Sequence, residues 1–400
     1  MGNVAEYRNQ VAIIGAAVVP PVRRAAVPVA GMAVRASQLA IEDAGLDPSD
    51  IDGVACGTQL PSYTFSGPTQ AGRDFVDADF LINHMRLQAS WRMDDDSFPP
   101  AFMFAVQAIA SGMATHVLVN RTLHNPKGRY NSFGRSQASG PTQWTVPYGF
   151  VAPTSGIAMP YKEYQQRYGA RRENMGKLVV QQRKNVQRIP DAYWHGTELT
   201  LDDYMNCRMI SEPMCLLDND IPVDGSGSFV LTTAERARDL PHKPVYITDW
   251  AQVRNDRVPP DGTFGPLDDF YDRGFDLAER LWSSSGWKPR DVAVVQPYDG
   301  FTPLVYFWLE ALGFCPVGEA WRVLEETDLD PQGTFPLLSG GGNTGWGRLH
   351  GLPHVLECYL QLAGRAGARQ IAGATTALST YATPARNLGQ AILYTNDPAA

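Results

Sequence analysis

The 400-residue chain carries 42 Asp and Glu against 34 Lys and Arg, a formal charge of −8. That is the wrong sign for an electrostatic grip on a phosphate backbone, so nucleic acid is excluded as a partner class. With 44% apolar and 19% charged residues the composition is that of a globular protein, and no apolar run reaches the roughly 20 residues that span a bilayer. Residues 1–8 lack the basic start and apolar stretch of a secretory signal, so the expected location is cytoplasmic, with no membrane association. The cysteines, Cys56, Cys207, Cys215, Cys315 and Cys358, are odd in number and include no C-x-x-C pair, so they read as reduced structural thiols.

In chain order, the continuous apolar run Val11–Val19 predicts a fully buried strand, and Ala33, Ala36, Leu39 and Ala44 recur at helical spacing up to Gly45, a C′ glycine. Gly53–Gly57 predicts a second strand, Ala101–Ala110 a helix and Thr115–Asn120 a third strand, an alternation that places the chain in the α/β class. A long insertion, about 121–222, follows. It contains a helical stretch, Tyr161–Gln187, with Tyr161, Tyr164 and Tyr168 on one face, readable as a packed edge or as an aromatic ligand wall. Arg171, Arg172, Lys177, Arg183, Lys184 and Arg188 make it the most basic segment: a solvated face, or a surface for an anionic cofactor such as coenzyme A.

The order then returns. Gly45-Leu-Asp-Pro-Ser-Asp-Ile-Asp-Gly-Val54 is echoed by Gly286-Trp-Lys-Pro-Arg-Asp-Val-Ala-Val-Val295, each after a helix and before a strand. Val245–Asp249, Phe275–Ser284, Val292–Gln296 and Val355–Gly364 repeat the earlier strand, helix, strand and later helix, with further strands expected near Gln370–Thr376 and Gln390–Tyr394. The chain therefore divides into halves of about 1–240 and 241–400, each too open to cover its own sheet, which are expected to pack face to face around shared helices.

Three segments could carry chemistry, each at a strand end or a helix start, where α/β proteins bind ligands. In Gln296-Pro-Tyr-Asp-Gly-Phe-Thr-Pro303, Thr302 and Pro303 form an N-cap and N1 pair, and Tyr298 and Asp299 sit at the strand's end. Asp299 reads as a group satisfying turn amides or as a site carboxylate. The span Ser339–His354 has six glycines, among them Gly340, Gly341, Gly342 and Gly347, which let backbone amides approach a ligand or a developing oxyanion. His350 and His354 stand four apart at a helix start, half of a metal site with no evident completing ligands, so no metal is expected. Asp218, Asp220 and Asp224 read as a turn-forming cluster ahead of the strand Ser228–Thr232, with calcium as the alternative.

The duplicated halves, the Tyr298-Asp-Gly-Phe301 segment running into Leu309–Cys315, and the glycine-rich loop before a late helix resemble the thiolase superfamily over nearly the whole chain. The likeness is to the lipid-transfer-protein or sterol-carrier-protein type, and within it to steroid side-chain aldolases that work with a small OB-fold, zinc-ribbon-bearing protein. The resemblance implies a five-layer α-β-α-β-α fold, a homodimer, and a heterotetramer with that partner. It places the thiolase nucleophile on Asp94–Ser97, where no cysteine stands. The Asn or His of the Asn-Glu-Ala-Phe or His-Asp-Cys-Phe segment falls on Tyr298, the Gly-His-Pro histidine on Arg348, and the last catalytic cysteine on the Ser379–Thr383 region.

Covalent acyl transfer needs a thiolate and a second base. Without them, the resemblance implies a retro-aldol cleavage of a bulky β-hydroxyacyl-CoA, with coenzyme A present as part of the substrate and no permanent cofactor. Tyr298 would be the base, Arg348 would favour its phenolate, and the glycine-rich loop would hold the thioester enolate. Those aldolases often carry a second tyrosine where Arg348 stands, which leaves His350 as a candidate for protonating the enolate. Acyl transfer through an unusual nucleophile and a non-catalytic scaffold for the OB-fold partner are the other readings.

Overall fold

The computed structural model describes residues 7–58, 76–95, 97–124, 143–150, 153–255, 265–384 and 388–399. Asp96, part of the expected nucleophile position, and stretches of the insertion lie outside them. The first half contributes β1 (Val11–Val22), β2 (Gly53–Thr58), β3 (Trp91–Asp95) and β4 (His116–Leu123). After the hairpin β5 (Met209–Ser211) and β6 (Met214–Cys215) comes β7 (Asp224–Thr233), and the second half supplies β8 (Val245–Val253), β9 (Val294–Gln296), β10 (Thr376–Thr383) and β11 (Leu388–Thr395).

Strand order is β3-β2-β4-β7-β1-β8-β11-β10-β9, and it makes the duplication explicit. From the centre outward, β1–β7 and β7–β4 are antiparallel and β4–β2 is parallel, while β8–β11 and β11–β10 are antiparallel and β10–β9 is parallel. The fifth strand of the first half, β3, has as its counterpart only a parallel bridge between Val295 and Leu337. The repeated sequence motif folds identically twice. Gly45 and Gly286 take φ of 70° and 77° after the helices Val29–Asp43 and Leu267–Ser285, and the amides of Asp47 and Lys288 each donate to the Oδ2 of an Asp three residues on, at 2.8 Å.

The layers follow from side-chain alternation. Val11 and Ile13 point into a central core with the helices Phe98–Ala110 and Leu352–Leu362, whereas Ala12 and Ile14 pack outward against the Val29–Asp43 helix. In the second half Val294 and Ile392 face the same central helices, and Val295 and Leu393 face an outer core with the helices Leu267–Ser285 and Pro303–Ala311. Strands buried on both faces explain the unbroken apolar runs, each such Val or Ile contributing about 1.5–3 kcal/mol. The result is the five-layer α-β-α-β-α thiolase-like fold.

Three local expectations are corrected. The strand expected near Gln370–Thr376 is a turn, because the Gln361 carboxamide takes the Ile371 amide and donates to the Arg369 carbonyl, both at 2.8 Å; the strand begins at Thr376. The stretch Tyr161–Gln187 is two helices, Pro153–Tyr168 and Arg172–Val186, broken at Gly169 with φ of 75°. The Thr302 hydroxyl does not cap its helix but donates to Asp218 Oδ1 at 2.8 Å. Among the described residues no helix is long and apolar enough to cross a membrane.

Candidate active site

Tyr298 follows β9 directly, and its amide donates to Thr380 Oγ1 on the neighbouring β10 at 2.8 Å. That register sets the Tyr298 ring edge-on to Tyr381 with centroids 5.2 Å apart and tilts it toward His354 at 5.7 Å. A Cβ at Gly300 would meet the Tyr298 hydroxyl at 2.6 Å, because the phenol folds back over its own loop. The hydroxyl forms no hydrogen bond with any described residue, and the side chain keeps 8% of its surface exposed. Burial pushes the phenol well above its ordinary value, Asp220 and Tyr381 add to the rise, and Arg348 opposes it. Tyr298 is therefore a neutral hydroxyl at physiological pH, not the phenolate expected of a base.

Asp299 is the anchor of the glycine-rich loop. Oδ1 accepts from the Asn343 amide at 2.8 Å and lies 3.0 Å from His354 Nε2. Oδ2 accepts from the Thr344 amide (3.1 Å), the Thr344 hydroxyl (2.7 Å) and Gln182 Nε2 (2.6 Å). Burial alone would raise this carboxyl, but His354, Thr344 and the Asn343 amide together hold it below the usual range. Its lone pairs are committed to the protein, so Asp299 positions the loop and has no oxygen left to offer a substrate.

The same carboxylate changes the reading of the glycines. The amides at the start of the helix Gly342–Trp346 are aimed at Asp299, where an exogenous anion was expected. A Cβ on Gly342 would strike Asp299, one on Gly340 the Glu357 carboxylate, one on Gly341 Val186, and one on Gly347 Val223. Gly341 and Gly347 donate their amides to Leu338 and Asn343 carbonyls at 2.7 and 2.8 Å. These glycines permit close packing of protein on protein.

His350 and His354 part company rather than forming half a metal site. His350, at φ of 51°, precedes the helix, and its two ring nitrogens meet Arg121 Nη2 at 2.6 Å and Arg348 Nε at 2.7 Å. Burial and the two guanidiniums push its pKa well down. Burial and the two cations thus disfavour the imidazolium form that an expected enolate acid would use. Arg348 is fixed by its amide, which donates to the Ile221 carbonyl at 2.8 Å.

At the expected nucleophile position, Asp94 accepts from the Thr58 hydroxyl (3.0 Å) and the Ala78 amide (2.9 Å), and Ser97 starts the Phe98–Ala110 helix. The cysteines lie elsewhere: Cys56, Cys215, Cys315 and Cys358 are buried in apolar cores, with thiols pushed up by burial, to about 12 for Cys215 and Cys315. None is activated as a nucleophile.

The insertion closes the site. Asp218 accepts from the Tyr204 and Thr302 hydroxyls at 2.8 Å and from the Cys215 amide at 2.7 Å, tying the 215–220 segment to the Tyr298 loop. Beside it lies a cavity of about 270 Å³, largely apolar, bounded by Trp194, Leu216, Ile221, Asp220, Arg183 and Arg23. Tyr161 and Tyr164 are fully buried, the packed-edge reading, with the Tyr164 hydroxyl donating to Glu310 Oε1 at 2.5 Å. Of the basic segment, Lys177 and Arg188 pair with Glu325 and Asp330, Arg172 caps the carbonyls of Tyr204 and Met205, and Arg183, stacked on Trp194 at 4.0 Å, reaches the cavity. The expected site region Ser379–Thr383 contains Tyr381, whose ring stands against Tyr298, though sequence reasoning did not name it.

Fold and site together define a thiolase-type enzyme whose nucleophile position holds no thiol. A family described as thiolase C-terminal domain-like matches residues 276–387. The chain is 31% identical over 342 residues to a steroid side-chain-cleaving aldolase of Thermomonospora curvata, covering 83% of this chain and 85% of that protein. It is 30% identical over 355 residues to the 17-hydroxy-3-oxo-4-pregnene-20-carboxyl-CoA lyase of Mycobacterium tuberculosis, covering 86% and 89%. The solved Ltp2-ChsH2(DUF35) aldolase superposes with a TM-score of 0.81 at 28% identity over 98% of this chain and 99% of that one. Human mitochondrial 3-ketoacyl-CoA thiolase, at 14% identity and a TM-score of 0.66 over 98% and 99%, shares the fold. The chain belongs to the thiolase superfamily. Within it, the chain stands with the carbon-carbon lyases.

Proposed function

We propose that the protein is a retro-aldolase that cleaves a bulky β-hydroxyacyl-CoA, of the steroid side-chain type, into a ketone or aldehyde and a shorter acyl-CoA. The observation that carries this reading is a tyrosine site without a thiolase thiol: no cysteine stands at Asp94–Ser97, and the rings of Tyr298 and Tyr381 stand edge-on, 5.2 Å apart, on adjacent strands. Such a site lacks the thiol that carries an acyl group in a thiolase, but it can move protons and hold an enolate. Tyr298, kept neutral by its surroundings, donates its proton to the enolate carbon, with Tyr381 orienting it. Arg348 supplies the positive charge that the enolate oxygen needs. The apolar cavity takes the acyl group, and Arg183 and Arg23 at its wall suit the anionic coenzyme A portion.

The assay is incubation with a β-hydroxyacyl-CoA bearing a fused-ring substituent, followed by mass spectrometry of small molecules and protein. The expected products are the free ketone and the shortened thioester, with the protein mass unchanged. An acyl-enzyme adduct without ketone would overturn the reading. Tyr298→Phe, which removes one hydroxyl, lowers turnover about 10²-fold or more.

The aldolase with which the chain superposes is titled with a ChsH2(DUF35) component. A homodimer carrying a small OB-fold, zinc-ribbon-bearing partner is accordingly the proposed assembly. The exposed Trp144, Tyr148 and Met159 of the insertion offer apolar surface for it. Light scattering that returns a 43.9 kDa monomer unaffected by such a partner would refute it.

A further inference from the structure

The acidic segment Asp218–Asp224 contains one carboxyl that the fold leaves unused. Asp218 is saturated by Tyr204, Thr302 and the Cys215 amide, and Asp224 by His124 and the Ala25 amide at 3.0 and 2.8 Å. Asp220 is as buried as they are, at 2% exposure, yet its Oδ1 accepts no hydrogen bond from any described residue. An unsatisfied buried carboxyl oxygen costs about 1–3 kcal/mol or more, a burden relieved when a ligand donor occupies the place.

Its position is over-determined. The Asp220 amide donates to the Gly300 carbonyl at 3.2 Å, Asn219 bridges to Phe301, and the next carbonyl, Ile221, accepts from Arg348. The backbone at Asp220 is thus held between the glycine over which the Tyr298 hydroxyl folds and the backbone of Arg348, and the residue forms part of the wall of the apolar cavity. Tyr298, Arg348 and Asp299 are the charged or titratable groups that feel it. Burial pushes the carboxyl well up, Arg348 pulls it down and Asp299 adds to the rise.

We infer that Asp220 is the base of the reaction, the group that takes the β-hydroxyl proton of a substrate seated in this cavity. This rests on the aldolase reading and assigns the role that a neutral Tyr298 leaves vacant. The Asp220 carboxylate accepts the hydroxyl proton, and the O–H electron pair becomes the new C=O bond. The Cα–Cβ bond breaks, and its electrons enter the thioester enolate. Tyr298 gives its phenolic proton to Cα, and the proton on Asp220 returns to the Tyr298 oxygen. The net change is transfer of one proton from oxygen to carbon, with no oxidant, reductant or co-reactant.

The test uses the full-length protein and the fused-ring β-hydroxyacyl-CoA. Asp220→Asn keeps the shape and removes the base; it should lower kcat about 10²-fold or more while KM stays within about threefold. Asp220→Ala should be inactive and recover about tenfold or more on addition of formate, a small carboxylate able to enter the vacated space, whereas Tyr298→Phe should not respond. Melting curves identify any variant that fails to fold, and formate rescue of Asp220→Ala then decides. Cleavage by Asp220→Asn within about threefold of wild type, or loss without formate rescue, would overturn the assignment and leave the aldolase reading standing. Absence of cleavage by the wild-type protein would overturn that reading itself and the assignment with it.

Discussion

Replacing Asp299 by asparagine tests the claim that this carboxylate is a structural clamp. Asparagine offers one oxygen where aspartate offers two. If that oxygen keeps the Asn343 amide, the new NH2 faces the Thr344 amide, the Thr344 hydroxyl and Gln182 Nε2, all donors to the present Oδ2. The hydroxyl can rotate and Gln182 can flip, since its Oε1 lacks a partner among the described residues, but the Thr344 amide cannot move. One buried donor is stranded and the pairing with His354 at 3.0 Å is lost. The sum is about 3–5 kcal/mol, the range for removing one partner of a buried charge network. With a urea slope of about 3 kcal/mol per M, the unfolding midpoint falls by about 1 M or slightly more. The effect is pH-dependent with a definite sign. Because the folded-state carboxyl lies below its ordinary value, the wild-type advantage is complete at neutral pH and is lost as pH falls through the folded-state value. An unchanged midpoint at neutral pH would refute the clamp.

Further predictions concern neighbouring positions. Gly342→Ala places a methyl against the Asp299 carboxylate at φ of 61°, so it should disrupt the same clamp and yield little folded protein; a variant with wild-type melting would contradict the packing described. Tyr381→Phe keeps the edge-on contact with Tyr298 and removes a hydroxyl, so kcat should fall about tenfold or more with little change in melting temperature, and a lowered melting temperature with unchanged kcat would make Tyr381 structural. Single Cys→Ala changes at Cys56, Cys215, Cys315 and Cys358 should cost about 1 kcal/mol or somewhat more in urea unfolding and leave turnover nearly intact. A folded cysteine variant with turnover reduced about a thousandfold would restore covalent acyl transfer as the mechanism.

The fold was legible where sequence and burial are linked locally. Val11–Val19 reads as a strand because both faces are covered over Val11–Gly15 and half-covered beyond it, and the Gly45–Val54 echo at Gly286–Val295 marks the duplication because both copies need a left-handed glycine and an Asp closing a turn. The placement of Tyr298 and Asp299 was legible, because a strand end and a helix start bracket them. What escaped depends on partners distant in the chain. A run of glycines does not say whether its amides meet a ligand or an internal carboxylate, and here Asp299 takes them. Tyr381 looks like any strand aromatic until β10 is laid beside β9. Asp220 is indistinguishable from Asp218 and Asp224 until each oxygen is matched to its donor.

The central position of β1 has a consequence for how the protein is made. Val11–Val22 pairs with β7 and β8, which begin at Asp224 and Val245, so it is synthesised about 200 residues ahead of its neighbours. At translation rates of about 5–20 residues per second, the nascent strand waits on the order of 10–40 s for its first partner. During that interval an apolar ribbon with two open edges is presented to the cell. Early chaperone capture of this segment, and slow folding dominated by closure of a very long loop, are built into the topology.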